Sequence, residues 1–486
     1  MVAVMSDLTF FWHDYETFGR VPRRDRPAQF AGIRTDAELN EIGDPVMLYC
    51  QPTPDALPDP ESCLLTGILP QHCQQHGVPE HAFAAAIEAE LAKPGTIGLG
   101  YNSIRFDDEV TRFLFWRNLI DPYAREWQND CGRWDLLDVV RATWALRPEG
   151  IEWPTHDDGR PSFKLEHLSA ANGLVHDAAH DALSDVRATI ALARLIKTRQ
   201  PRLWDFCLKL RKKDAVLAEM GAGRPFVHLS GMYGVERGGL AIVWPLAPHP
   251  TNKNEIIVWD LAHDPAELFE LSSAQVRERL YTRAEDLPEG VTRLPIKTLH
   301  INKSPIVIGN LKALTPAVIE RWKLDIDQAL RHAEVVGRDG AKLAGLWPEV
   351  FARPEAPEPV DVDEDLYGGF IGNEDRRRLQ RLRTAKPEEL AERTPSFDDE
   401  RLDELFFRYR ARNFPHTLSE PELARWREHC HARLHEGAHG LPTLAQYFER
   451  IDTLGESLAD DDERGQDILG ALYEYAEQLA EFSAAE

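Results

Sequence analysis

The chain has 486 residues, 43% of them hydrophobic, and a formal net charge of −25. That length allows roughly two to four domains, and that apolar content supports real cores, which excludes a disordered chain. No apolar run reaches membrane-spanning length, MVAVMSDLTF has no basic region before an apolar stretch, and the six cysteines lack a CxxC pair. A membrane span, a secretory signal, a disulfide framework and a zinc site are therefore disfavoured, and a cytoplasmic location is expected. The charge is uneven: residues 1–200 carry −11, 201–350 carry +1 and 351–486 carry −15. Because a local groove can differ in sign from the whole, the acidic balance weighs against a nucleic-acid partner without excluding one.

In chain order, residues 9–14 read as a buried strand. FAGIRTD and VMLYCQP, separated by ELNEIGDP, read as an antiparallel hairpin. TIGLGYN is a further strand, and DDEVTRFLFWRN has apolar residues at helical spacing. WDLLDVVRATWAL and FKLEHLSAANG predict two helices, the second stopped by Asn172-Gly173; HDALSDVRATIALARLIK predicts a long third with Asp181 as N-cap. Such interleaving indicates an α/β layer of about 200 residues. After IKTRQPRLW, the runs FVHLSGMYG, LAIVWPLA, EIIVWDLA and IKTLHINKSPIVI suggest a small β-barrel. RPEAPEPVDVDEDLYGG marks a second boundary, beyond which the chain reads as helical.

FFWHDYETFG sets Asp14 and Glu16 two positions apart in an apolar strand, so both carboxylates share one face, opposite Phe11, His13 and Tyr15. Buried together without a cation they cost several kcal/mol, or a pKa rises until one of them is neutral. A bare DxE is more often solvated, but further acids follow. Asp107 and Asp108 stand where a strand passes into a helix, and His180 precedes Asp185 by five positions at the start of the long helix. Each alone reads as a cap or a surface group. His176, Asp177, Asp181 and Asp108 are left in that role.

Together, on these elements and in this order, the residues resemble the DEDDh, or DNA polymerase III epsilon-like, 3′–5′ exonucleases. The similarity is closer still to the bacterial exodeoxyribonuclease I family. It runs through HDYETFG, DRPAQFAGIRTD, GYNSIRFDDEVTR, RWDLLDVVRA, LRPEGIEWP, HDALSDV and KTRQPR, then HINKSPI and YRARNFP. The resemblance implies an α/β ribonuclease-H-like exonuclease domain over 1–200, an SH3-like β-barrel domain over 201–355 and an all-α C-terminal extension over 356–486. It implies that Asp14, Glu16, Asp107 and Asp185 are the acids that hold two Mg²⁺ ions, with Mn²⁺ as an alternative, and that His180 is the general base. Hard divalent cations want oxygen donors, and a histidine with an ordinary pKa near 6.5 can accept a water proton at neutral pH.

The resemblance further implies substrate contacts from Glu16, Lys164, Arg112, Tyr123, Trp127 and Arg141. The basic run Lys209, Arg211, Lys212 and Lys213, and Arg408, Arg410 and Arg412, are expected to close a positive channel; on composition alone they read as solvated faces. The implied activity is processive 3′–5′ degradation of single-stranded DNA to 5′-mononucleotides in DNA repair, by a monomer. The implied protein partner is the acidic tail of single-stranded-DNA-binding protein, with Arg147 as one contact. Two alternatives stay open: an RNA 3′-trimming enzyme such as ribonuclease T or oligoribonuclease, and a non-enzymatic DNA-end adaptor.

Overall fold

The computed structural model describes residues 8–176, 181–352, 360–392, 395–459 and 461–484. The apolar FFWHDYETF run forms β1 (Thr9–Thr17), longer than the strand expected from sequence. It pairs antiparallel with β2 (Pro27–Thr35), which pairs antiparallel with β3 (Val46–Tyr49), so the hairpin is present. On its other side β1 runs parallel to β4 (Thr96–Gly100), and β5 (Gly132–Asp135) completes the order β3-β2-β1-β4-β5.

The two partners of β1 do not end together. The parallel pairing stops at Trp12↔Leu99, whereas pairing with β2 continues to Thr17↔Pro27. Asp14 and Glu16 thus lie beyond the end of β4, at the carboxyl end of a parallel pair, where open α/β sheets bind ligands. Gly100 is required at this point, because a Cβ there would lie 2.5 Å from the His13 carbonyl oxygen.

Phe11, Tyr15 and Phe30 on one sheet face pack against Phe83 and Ile87 of α1 (Glu80–Leu91) and Val110 and Leu114 of α2 (Asp107–Arg117). Each buried aromatic or aliphatic side chain contributes roughly 1.5–3 kcal/mol. The helix expected over WDLLDVVRATWAL starts later than its sequence pattern. Trp134 and Asp135 belong to β5, and α3 (Leu136–Leu146) begins where the Asp135 carboxylate accepts from the Leu137 N–H at 2.9 Å. A short polar acceptor favours the cap over the helix interior. α4 (Leu165–Ala171) stops before Asn172 and Gly173, the latter at φ +63°. In α5 (Ala182–Arg199), Asp181 caps as expected, accepting from the Ser184 N–H at 3.0 Å.

The barrel-like runs form β6 (Phe226–Leu229), β7 (Leu240–Pro248), β8 (Glu255–Asp260), β9 (Ile296–His300) and β10 (Ile306–Ile308). They make an antiparallel sheet in the order β10-β6-β7-β8-β9. Four longer helices close the chain: α6 (Arg401–Asn413), α7 (Glu420–Leu434), α8 (Leu444–Ser457) and α9 (Glu463–Ser483). The chain packs as two compact units: Met1–Gly132 with His176–Ala188 and Glu358–Glu486, and Arg133–Val175 with Thr189–Pro357. Within the first, Phe18, Ala28 and Cys73 share a core with Leu434, Ile451, Leu472 and Tyr475.

The same unit corrects the channel expected from Arg408, Arg410 and Arg412. All three side chains are buried and paired: Arg408 with Asp361 at 2.8 Å, Arg410 with Glu422 at 2.7 Å, and Arg412 with both Asp55 and Asp363. Charges alternating with aromatics in FFRYRARNF face carboxylates inside the fold, and one of them, Arg412, cross-links the two ends of the chain, because its partner Asp55 lies 357 positions away. Lys209, Arg211, Lys212 and Lys213, in the second unit, straddle the junction between helices Pro201–Lys209 and Lys213–Met220 instead of lining one helix face. There Arg211 caps the Leu208 carbonyl at 2.9 Å.

Burial alone would raise the Asp55 pKa, but Arg412 and Arg26 hold it well below the carboxylate range. A depressed folded pKa contributes stability above pH ~4, and that contribution is lost as pH falls through the lower value. Asp55→Ala leaves several guanidinium groups uncompensated and should cost about 3–5 kcal/mol in urea unfolding at pH 7. A loss below about 1 kcal/mol would count against this network.

Candidate active site

Asp14 and Glu16 project half-buried from the overhanging end of β1. Asp185 sits one turn into α5, and one oxygen from each of these three carboxylates lies within 4.8 Å of the others. Among the described residues this is the one group of three or more acid, His or Cys side chains so arranged. Asp107, the first residue of α2, is buried, and its Oδ1 accepts from the Tyr15 backbone N–H at 3.1 Å. That peptide group lies between the two strand acids, so all four acids foreseen from the sequence meet at one place.

Three residues hold them there. The Thr111 hydroxyl donates to the Asp107 carbonyl at 2.8 Å and meets the Tyr15 hydroxyl at 2.9 Å, which ties the first turn of α2 to β1. Gln29, opposite Glu16 in the β1–β2 register, donates to Asp181 at 3.3 Å and accepts from the Ala182 N–H at 3.2 Å. His176 Nε2 lies 2.5 Å from Asp185 Oδ1. Gln29 is not foreseen from the sequence, where His176 reads only as a cap or a surface group. The register would have exposed Gln29, and the doubled His-Asp pair at 176–177 and 180–181 was the only signal for His176. His180 lies outside the described residues.

Asp108 is neither a cap nor solvated. It is buried and pairs with Arg125 at 2.6 Å. His13, behind the strand, is held neutral, its pKa lowered to about 4 by burial and then by Arg125. The acids show the opposite strain. Burial, then Asp107 and Glu16, pushes Asp14 well above the carboxylate range. Burial, then Asp185 and Asp107, pushes Glu16 to about 8. Such an excess of hard oxygen donors, raised by one another's charge, fits a divalent cation.

The expected substrate contacts divide by burial. Arg112 is 6% exposed and gripped by Glu126 at 2.7 and 2.9 Å and by Glu109 at 2.7 Å, with its guanidinium 5.3 Å from the Tyr123 ring. Its charge is committed inside the fold. Trp127 is 66% exposed. In the second unit, Arg141 pairs with Asp138 at 3.0 Å and lines a cavity of about 800 Å³ with Trp144, Phe163, Tyr233 and backbone at Gly238. The exposed Lys164 amine reaches Glu166 at 3.3 Å. Arg147 donates to the Leu146 and Ala313 carbonyls.

Family models match in three successive blocks: an exonuclease at 11–193, an exonuclease I SH3-like domain at 211–353 and an exonuclease I C-terminal domain at 360–479. The chain is 46% identical to exodeoxyribonuclease I of Escherichia coli over 97% of its own length and 98% of the relative's. The chain belongs to the exodeoxyribonuclease I family. Its architecture is therefore the family's: an exonuclease domain, an SH3-like domain and a helical C-terminal region. A thermophilic exonuclease I from Methylocaldum szegediense superposes with a TM-score of 0.92 at 48% identity, covering 97% of this chain and 99% of that one. Escherichia coli exonuclease I with a dA16 oligonucleotide gives 0.92 at 46%, covering 97% and 100%. Its zinc-bound complex with single-stranded DNA gives 0.91 at 44%, covering 98% and 100%.

The raised pKa of Glu16 makes a signed prediction for this family member. A folded pKa of about 8 against an ordinary 4.5 means the folded protein holds a proton that the unfolded chain releases. With chelator present, Tm should therefore fall as pH rises from about 5 to about 8. Glu16→Gln should flatten the fall, and Mg²⁺ should raise Tm more at pH 8 than at pH 6. Calorimetry showing equal Mg²⁺ stabilisation at both pH values would count against the cluster.

Proposed function

We propose that this protein is a 3′–5′ exonuclease degrading single-stranded DNA processively to 5′-mononucleotides in DNA repair, as a cytoplasmic monomer. The observation that carries this reading is the convergence of Asp14, Glu16 and Asp185 within 4.8 Å beside the anchored Asp107. Family membership and the oligonucleotide complexes of the relatives support the substrate.

Asp14, Glu16 and Asp185 would hold two Mg²⁺ ions, or Mn²⁺ in their place, with Asp107 acting directly or through water. When bound, such ions neutralise charge on the attacking and leaving oxygens. Glu16, last of the strand acids, would also face the terminal nucleotide. Asp107 is fixed by Tyr15 and Thr111, so its carboxylate keeps one orientation. Gln29 and Asp181 hold the start of α5 and thereby set where Asp185 stands. His180 would take the proton of the attacking water as the bond from phosphorus to the 3′-oxygen breaks, leaving the phosphate on the released nucleotide.

Tyr123, Trp127, Arg141 and Lys164 are proposed strand contacts, through ring stacking and phosphate charge. Arg112 would serve indirectly, holding Tyr123 and the turn that carries Trp127. The division into 1–200, 201–355 and 356–486 is retained as one of roles: cleavage, the SH3-like fold, and the helical extension. Arg147 is the proposed contact for the acidic tail of single-stranded-DNA-binding protein.

The test is a time course with 5′-labelled DNA and RNA oligonucleotides of one sequence, with Mg²⁺ or chelator. A ladder shortening from the 3′ end of DNA, stopped by chelator and by Asp185→Ala in a protein of unchanged secondary structure, is expected. His180→Ala should slow the reaction by about a hundredfold or more while DNA binding persists. Preferential RNA shortening would favour an RNA-trimming enzyme, and no shortening of either would favour an adaptor.

A further inference from the structure

Phe18 follows Glu16 by two residues, and its N–H donates to the Arg26 carbonyl at 2.8 Å, closing the turn between β1 and β2. This turn, GRVPRRDR, supplies one wall of a groove of about 340 Å³. The other wall comes from α7, α8 and the loop between them, in the same compact unit. Leu57, Pro58 and Leu441 give the groove apolar sides, and the exposed Arg20 also lines it.

Two further lining side chains are buried and incompletely partnered. Arg26, 4% exposed, directs Nη2 to Asp55 and Asp363 at 3.3 and 3.4 Å, but its Nε and Nη1 have no hydrogen-bond partner among the described residues. The hydroxyl of Tyr447, 3% exposed, has none there either. Buried polar groups are almost always paired, so three unpaired groups able to donate, at one groove, point to a ligand that brings acceptor oxygens. The acids of the groove are already engaged: Asp55 with Arg412, Glu61 with Arg450, Asp59 with the Ser62 hydroxyl and Asp25 with the Val21 N–H. What stays unused is guanidinium N–H, which matches phosphate oxygens.

We propose that this groove binds a 5′-mononucleotide at a second site, apart from the four acids, with its phosphate toward Arg26 and Tyr447 and its sugar and base along the apolar sides. The anion site stands on the groove itself. The choice of a mononucleotide rests on the nuclease reading given above, because that reaction releases this class of molecule. The groove also adjoins the strand that carries the site: at about 3.3 Å per residue, Phe18 lies roughly 7 Å along the chain from Glu16.

The test titrates thymidine 5′-monophosphate, thymidine and inorganic phosphate into the full-length protein by calorimetry, with chelator present to keep metal from the four acids. Wild type should bind the monophosphate about tenfold or more tightly than either fragment. Tyr447→Phe should weaken it about fivefold or more, while Tm without ligand stays unchanged or rises, because a buried unpaired hydroxyl is removed. Arg20→Ala, at an exposed position, should weaken it in the same direction, and Asp185→Ala should bind it as wild type does. No binding by wild type, or equal affinity for thymidine or inorganic phosphate, overturns the inference. So does an affinity unchanged in both Tyr447→Phe and Arg20→Ala, or one abolished by Asp185→Ala. Digestion of DNA by a protein that fails these tests overturns this inference alone. Binding that depends on Tyr447 in a protein that digests no DNA supports the groove and removes only the nuclease reading.

Discussion

The mutual repulsion of four carboxylates is the constraint on which the rest of this site depends. Water would screen such a cluster if it were open, but here burial pushes Asp14 and Glu16 toward their protonated forms. The fold spends contacts on keeping them together. A backbone N–H of β1 is given to Asp107, a glutamine of β2 is used to pin the start of α5, and a histidine is set against Asp185. Each contact converts sequence distance into a fixed separation. The result is a site that stays assembled although its own charges oppose assembly, which is what a cation-binding centre requires before its ligand arrives.

The hydrogen-bond geometry explains why the acids come from these elements. The carboxyl end of β1 overhangs β4, so the sheet edge itself opens the space for Asp14 and Glu16. The strand-to-helix turn after Gly100 delivers Asp107 beneath the peptide between them. α5 approaches with its first turn, which carries the half-buried Asp185. No acid belongs to a mobile tip; all four stand on strands or first helical turns, where packing limits their freedom.

The buried arginines play a different part from the one their sequence suggests. Arg26, Arg408, Arg412 and Arg433 surround Asp55, Asp361 and Asp363, and these partners come from opposite ends of the chain. A buried charge is tolerated when its partner is held at hydrogen-bond distance. The C-terminal helices are thereby locked to the N-terminal sheet by ion pairs as well as by the core around Tyr475. Of the exposed rings of that unit, Tyr367 is held through its hydroxyl by Arg112 and Glu109.

Much was legible in the sequence alone. Hydrophobic periodicity placed β1, the hairpin, α2, α5 and four runs that cover the second sheet, β9 and β10 falling in one of them, because the alternation of buried side chains is written locally. The order DxE, strand-end Asp and late Asp, through the family it resembles, pointed to the four acids that the fold brings together. What the sequence did not carry was partnership. FFRYRARNF reads the same whether its arginines face solvent or carboxylates, one of them 357 positions away, and Asp108 reads as a cap whether or not Arg125 covers it. Gln29 and His176 acquired meaning only through register and chain crossing. Local sequence determines which groups a segment offers, whereas burial and long-range pairing decide which of them remain available, because those depend on elements that meet only when the chain is folded.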